Sequence, residues 1–331
     1  SGNLIGKRLG LSGGKLTFIP EWRAADLLNN LYHNNTGTWI NRKVFTKAQN
    51  GSTVQFTPSN LATFESALKE QDSSLNAASL TKHLLGDSTQ EGSAWRKRSS
   101  LMGTIINSTP SAILKPKQVP NGCTYSDSTV MNRSAYYAVA ANDGMLHILD
   151  HNGVEKMGYI PKSALPKLYN FAKLGAIHEY INDGSPVTAE VCFGSEAKSL
   201  LIGTTGRGGS SIYALDVTNL NNPSASNILW DFSNKDDSDL GLTVGQPAIT
   251  KNGSGNPLVI LSSGYNNTSG KGYLYILNAQ NTGSWIQNSN YWKIPLGSSG
   301  VGEPFVYDDN RDGIPEAVFV GDNEGKVWRI N

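Results

Sequence analysis

A four-fold internal repeat constrains this chain more than any other feature. Short proline-bearing segments recur as NSTPSAIL (107–114), DGSPVTAEV (183–191), VGQPAIT (244–250) and VGEPFVYD (301–308). Their prolines, Pro110, Pro186, Pro247 and Pro304, stand 76, 61 and 57 residues apart. Each leads through a loop into a β-rich run, a glycine turn and a second apolar run: SAYYAVAANDGMLHILD, SLLIGTTGRGGSSIYALDV, PLVILSSGYNNTSGKGYLYILNA and EAVFVGDNEGKVWRIN. Asn142-Asp143-Gly144 and Asn323-Glu324-Gly325 supply the residues that tolerate positive φ in such turns. Three copies continue into a fourth strand candidate, EKMGYIP, NILWDFS and NYWKIPL. A four-stranded meander repeated at this period is the blade of a β-propeller.

The expected fold is therefore all-β, one propeller domain over 1–331 with blades beginning near 107, 183, 244 and 301. The fourth copy ends at Asn331 without its last strand, and GKLTFIPEWRAADLL (14–28) resembles VEKMGYIPKSALPKL (154–168). A closed ring removes exposed sheet edges, so residues near 14–20 are expected to pair with 326–331. The stretch 20–106 fits the repeat poorly and reads as irregular blades with helical insertions. Trp22–Tyr32, Asn60–Lys69 and Asn76–Leu85 carry helical spacing, and Arg42–Lys47 with Ser52–Phe56 around Gln49-Asn50-Gly51 read as a hairpin.

Composition bounds the function. With 28 basic and 27 acidic residues the net charge is +1, which makes no electrostatic case for nucleic acid or an anionic membrane. No apolar run approaches the ~18 residues of a membrane helix, so no direct membrane insertion is expected. The opening Ser-Gly-Asn, without an initiator Met, reads as an excised domain whose targeting information lies elsewhere. No nucleophile elbow, dinucleotide fingerprint or P-loop is present, and His147 and His151 lie in and after a strand, where a spacing of four builds no shared ligand face. A non-enzymatic protein is expected.

The segment Asp308-Asp309-Asn310-Arg311-Asp312-Gly313-Ile314-Pro315-Glu316 is the main candidate site. Calcium takes six to eight oxygens from a backbone that can wrap around it. Asp308, Asn310 and Asp312 hold positions 1, 3 and 5 of a partial EF-hand pattern, Gly313 the bend, the Ile314 carbonyl position 7 and Glu316 position 9. Position 12 is Phe319, so Glu316 must close the site. Asp309 and Arg311 alternate outward. A solvated acidic turn is the competing reading, but the equivalent loops CFGSEAK (192–198) and KNGSGN (251–256) make their turns without these carboxylates. Asp236, Asp237 and Asp239 lack the spacing and read as a solvated loop. Cys123 and Cys192 fit either one disulfide or two buried thiols; both fall between the first and second strands of neighbouring copies, which favours the disulfide if their Cα atoms come within about 7 Å.

LTKHLLGDSTQEGSAWRKRSSLMGTIINSTPSAI (80–113), YYAVAANDGMLHILD, LLIGTTGRGGSSIYALDVT and VYDDNRDGIPEAVFVGDNEGKVWRIN together resemble the C-terminal domain of the PilC/PilY type IV pilus proteins. That resemblance implies a modified seven-bladed propeller in a surface protein of Gram-negative bacteria, at the outer membrane and pilus tip. It implies pilus subunits, minor pilins and a host-cell receptor as partners, and roles in pilus biogenesis, twitching motility and adherence. It also implies a bound Ca2+ that tunes extension against retraction, carried here by Asp308, Asn310, Asp312, the Ile314 carbonyl and Glu316; the family usually has Asp at the last position. Two alternatives remain at this point: a quinoprotein-like oxidoreductase using pyrroloquinoline quinone and calcium, and a glycan-binding propeller.

Overall fold

The computed structural model describes residues 2–33, 36–48, 50–297 and 300–331. Four antiparallel meanders, each in its own sheet, carry the four repeats. The first contains β5 (Ser111–Ile113), β6 (Tyr136–Ala140), β7 (Leu146–Asp150) and β8 (Glu155–Ile160). The second runs β9 (Val187–Phe193), β10 (Glu196–Thr204), β11 (Ser211–Asp216) and β12 (Ile228–Ser233). The third runs β13 (Ala248–Lys251), β14 (Pro257–Ser262), β15 (Tyr273–Asn278) and β16 (Tyr291–Pro295). The fourth has three strands, β17 (Phe305–Tyr307), β18 (Ala317–Gly321) and β19 (Val327–Ile330). Within each repeat's own meander the strands lie in sequence order, as a meander requires.

The middle strands are continuously apolar because both of their faces are buried. Side chains alternate across a strand, and here the two faces serve different neighbours. Leu200 and Ile202 of β10 enter the core shared with Val259 and Leu261 of the third sheet. Leu201, between them, enters the core shared with Ala138, Ile148 and Tyr159 of the first. The third sheet repeats the device, with Ile260 facing Val318 and Val320 of the fourth. Stacking blade on blade therefore builds one core per interface.

The N-terminal third differs from expectation. Among the described residues it forms no blade of its own. The hairpin of β3 (Val44–Lys47) and β4 (Thr53–Gln55) joins the first sheet through β3, which pairs parallel to β8 with Phe45 opposite Tyr159; Gln49 of its turn lies outside the described residues. The first sheet thus has six strands. Helices α1 (Ala24–Tyr32), α2 (Glu65–Leu68), α3 (Ala77–Leu85) and α4 (Leu168–Ala172) add a helical layer. Leu68, Leu80, Leu84 and Leu165 pack there with Met145 and Ile160 of the first sheet and its turn. Asn76 caps α3 by accepting from Ser79 N at 3.0 Å.

The expected pairing of residues 14–20 with 326–331 is not made. Those residues lie in β2 (Lys15–Arg23), which pairs antiparallel with β1 (Ile5–Ser12), Leu11 opposite Leu16. Gly13 and Gly14, at φ 56° and 78°, turn the chain at once into a local hairpin, and a short loop costs less entropy to close than one spanning the chain. Trp22 anchors the base of the hairpin by donating from Nε1 to the His151 carbonyl at 3.1 Å. The edge of β19 is unpaired among the described residues.

Candidate metal centre

The candidate loop joins β17 to β18, the position occupied in the second and third sheets by the turns through Gly194 and Gly255. Its mouth is closed by Glu316 N donating to the Tyr307 carbonyl at 2.9 Å. Inside, the oxygens expected to serve as ligands collect the loop's own amides. Asp308 Oδ2 accepts from Gly313 N at 2.8 Å and its Oδ1 from Asp312 N at 3.2 Å. Asn310 Oδ1 accepts from Asp312 N at 2.8 Å, and Asp312 Oδ1 from Ile314 N at 2.7 Å. Glu316 Oε2 accepts from Asp309 N at 2.8 Å, pulling the last position back across the loop. Arg311 at φ 59° and Gly313 at φ 85° provide the two left-handed bends that make this wrap feasible.

The donor set suits a hard cation: three carboxylates, one amide oxygen and backbone carbonyls, with no nitrogen or sulfur. An ionised carboxylate offers about four lone-pair sites, so the amide bonds leave acceptor capacity on Asp308, Asp312 and Glu316. Asp308 is half-buried, whereas Asn310, Asp312 and Glu316 are exposed and within reach of a cation from solvent. The carboxylates are turned to amides and do not converge; among the described residues no group of three or more His, Cys, Asp or Glu side chains is arranged around a common point. The fit rests on donor chemistry and on the wrap of the loop. Asp309 stands outside it, its Oδ1 accepting from the Tyr307 hydroxyl at 2.8 Å. Phe319, at position 12, lies in β18 opposite Phe305.

The neighbouring blade holds this loop, which no spacing pattern foretold. Gly313 O accepts from Thr250 Oγ1 at 2.9 Å and from Lys251 N at 3.2 Å, both at the end of β13. Asp308 and Gly313 also border a groove of about 630 Å3 that Pro120, Asn121 and Cys192 line as well. Cys123 and Cys192 are joined, with Cα atoms 5.8 Å apart, so the long insertion of the first repeat is tied to β9 of the second.

The remaining candidates sort by burial. His147 is fully buried between Asp143 and Glu155 and belongs to the core. Asp237 and Asp239 are not solvated as expected. Lys293, from β16, lies 3.0 Å from Asp237 and 2.6 Å from Asp239, and Tyr291 donates to Asp237 at 3.0 Å. The long sequence separation of these partners leaves no local signal for the pairing.

Successive meanders, four-stranded in the first three repeats and three-stranded in the last, packed face on face, define the class as a β-propeller. Residues 102–331 match the family described as the PilY1 beta-propeller domain. The chain belongs to that family. It is similar to a type IV pilus biogenesis factor PilY1 homolog of Xylella fastidiosa, 33% identical over 99% of this chain and 26% of the relative. It is also similar to the type IV pilus biogenesis factor PilY1 of Pseudomonas aeruginosa, 28% identical over 100% of this chain and 29% of that protein. The chain thus spans between a quarter and a third of these relatives. The crystal structure of the Pseudomonas aeruginosa PilY1 C-terminal domain matches at 26% identity with a TM-score of 0.54, covering 66% of this chain and 44% of that one.

Proposed function

We propose that this chain is a calcium-responsive, non-enzymatic module of a type IV pilus biogenesis factor at the bacterial cell surface. In this reading Ca2+ binds Asp308, Asn310, Asp312, the Ile314 carbonyl and Glu316, fixes the loop of the fourth blade, and so sets the surface offered to pilus subunits. The module would favour pilus assembly over retraction and support twitching motility and attachment to host cells. What carries the proposal is the loop: oxygen donors at alternate positions, wrapped by two left-handed bends, in a member of the PilY1 propeller family.

Thermal unfolding with and without calcium tests the metal site. At free calcium of about one hundred times the dissociation constant, binding is expected to add about 2.7 kcal/mol of stability, raising the melting temperature of the wild type. Asp308→Ala and Asp312→Ala should abolish that rise, each variant melting alike with and without calcium. A chelator that leaves wild-type melting unchanged would refute the site. The pilus role is tested separately, by counting surface pili in cells whose full-length protein carries Asp308→Ala.

A further inference from the structure

A basic cavity lies elsewhere on the molecule and shares no residue with the loop at 308–316. The segment after Trp95 reads Arg96-Lys97-Arg98, and all three line a cavity of about 240 Å3. Glu179 is the one acidic residue in that lining, and Lys167 already lies 3.5 Å from it. The cavity is therefore rich in positive charge that its own walls do not balance.

The two arginines are built in, not draped over the surface. The Arg98 side chain is 2% exposed. Its Nε donates to Glu91 Oε1 at 2.8 Å, but the same carboxylate oxygen also meets His33 Nε2 at 3.0 Å. Arg98 Nη2 is buried with no hydrogen-bond partner among the described residues, and so is Arg96 Nε. Arg96 is fixed from two sides: its guanidinium lies 4.0 Å over the Phe171 ring, and its backbone N–H donates to the Ala172 carbonyl at 2.9 Å. A buried donor without an acceptor is costly and rare in folded proteins. Burial pushes both guanidinium groups down from their ordinary range, Arg98 to about 10, against the opposing pull of Glu91 on both and of Asp143 on Arg96. Phe171 and the strongly exposed Ile177 give the cavity an apolar rim.

We propose that this cavity binds the oxyanion group of a small acidic ligand of about sugar size, with Arg96 and Arg98 as the charged donors and Phe171 and Ile177 against its body. A planar guanidinium matches the paired oxygens of a phosphate or a carboxylate. The volume sits just below the range of drug-sized pockets, which suits one anionic group on a single ring.

Calorimetric titration of the full chain with glucose 6-phosphate, glucuronate and glucose, at low ionic strength, tests this. At least one of the two acidic sugars is expected to bind at one site per chain, and neutral glucose is not. The member of the pair that binds identifies phosphate or carboxylate as the recognised group. Arg96→Gln should weaken binding about tenfold or more, and the exposed Lys97→Gln, which leaves the buried contacts intact, by a smaller factor. Melting curves verify that both variants fold. The proposal is overturned if neither acidic sugar binds, as expected when water alone satisfies the buried donors. It is equally overturned if Arg96→Gln binds like the wild type.

Discussion

Replacing Glu155 by alanine is expected to lower the stability of the fold by about 3–5 kcal/mol, the cost of stranding a buried charge. Glu155 sits at the centre of a buried quartet. Arg42 donates to it from Nε at 2.6 Å and from Nη2 at 2.9 Å, and His147 Nδ1 lies 2.7 Å from its Oε1. On the far side, His147 Nε2 lies 3.0 Å from Asp143 Oδ2, which also accepts from Gly103 N at 2.8 Å. Arg42 Nη1 reaches the Leu84 carbonyl at the end of α3 at 3.2 Å. The quartet thus fastens the helical layer and the 103 segment to the first blade. Urea unfolding checks the effect. The double variant Arg42→Met/Glu155→Leu should cost less than Glu155→Ala alone, because it leaves no unpaired guanidinium. Equal losses would deny the charge pairing its role.

The same quartet sets a pH window. Burial alone would push His147 down, but the Asp143 charge and the hydrogen bonds to Asp143 and Glu155 outweigh it and raise it to about 9. Its contribution is therefore fully present below its unfolded value of about 6.5 and is lost as pH rises through about 9. Burial would raise Glu155, but the Arg42 charge dominates among the opposing influences and holds it at about 2. That contribution is present above about 4.5 and is lost as pH falls toward about 2. Stability should peak between these limits, and His147→Gln should flatten the alkaline side.

Opening the disulfide is the other large perturbation. Cys123 and Cys192 are 69 residues apart in sequence, and a loop of that length corresponds to roughly 4 kcal/mol in the chain-entropy account. The folded insertion has other ties: Thr124 N donates to the Ser195 carbonyl at 2.9 Å, and Ala197 N to the Thr124 carbonyl at 2.8 Å. Reduction should therefore spare the native contacts and act mainly by loosening the unfolded chain. Urea unfolding of Cys123→Ser/Cys192→Ser is expected to show a lower midpoint and a steeper slope, since its unfolded state exposes more surface. Two titratable thiols in the denatured, unreduced protein would contradict the bond.

What could be read in advance follows from how local each cause is. The blade strands are legible because burial on both faces writes an apolar run into each of them, as in Leu200-Leu201-Ile202. The loop at 308–316 is legible because all its oxygen donors lie within nine residues. The N-terminal hairpin was hidden by the likeness of 14–28 to 154–168, although Gly13-Gly14 already announced the local turn. Arg42 with Glu155, and Lys293 with Asp237, join residues 113 and 56 positions apart, and such partners have no local signature. The oxygen loop had a pattern to be found by; the residues that hold it from outside did not.

The grip of Thr250 and Lys251 on Gly313 O ties the loop to the blade beside it. The carbonyl they hold belongs to the fourth blade, while both donors belong to the third. A cation that stiffens the loop would then clamp a seam between two blades, so that tension on the last strand is shared across the joint. Hydrogen exchange at the Lys251 amide should slow on calcium addition and return to its original rate in Thr250→Val/Asp312→Ala.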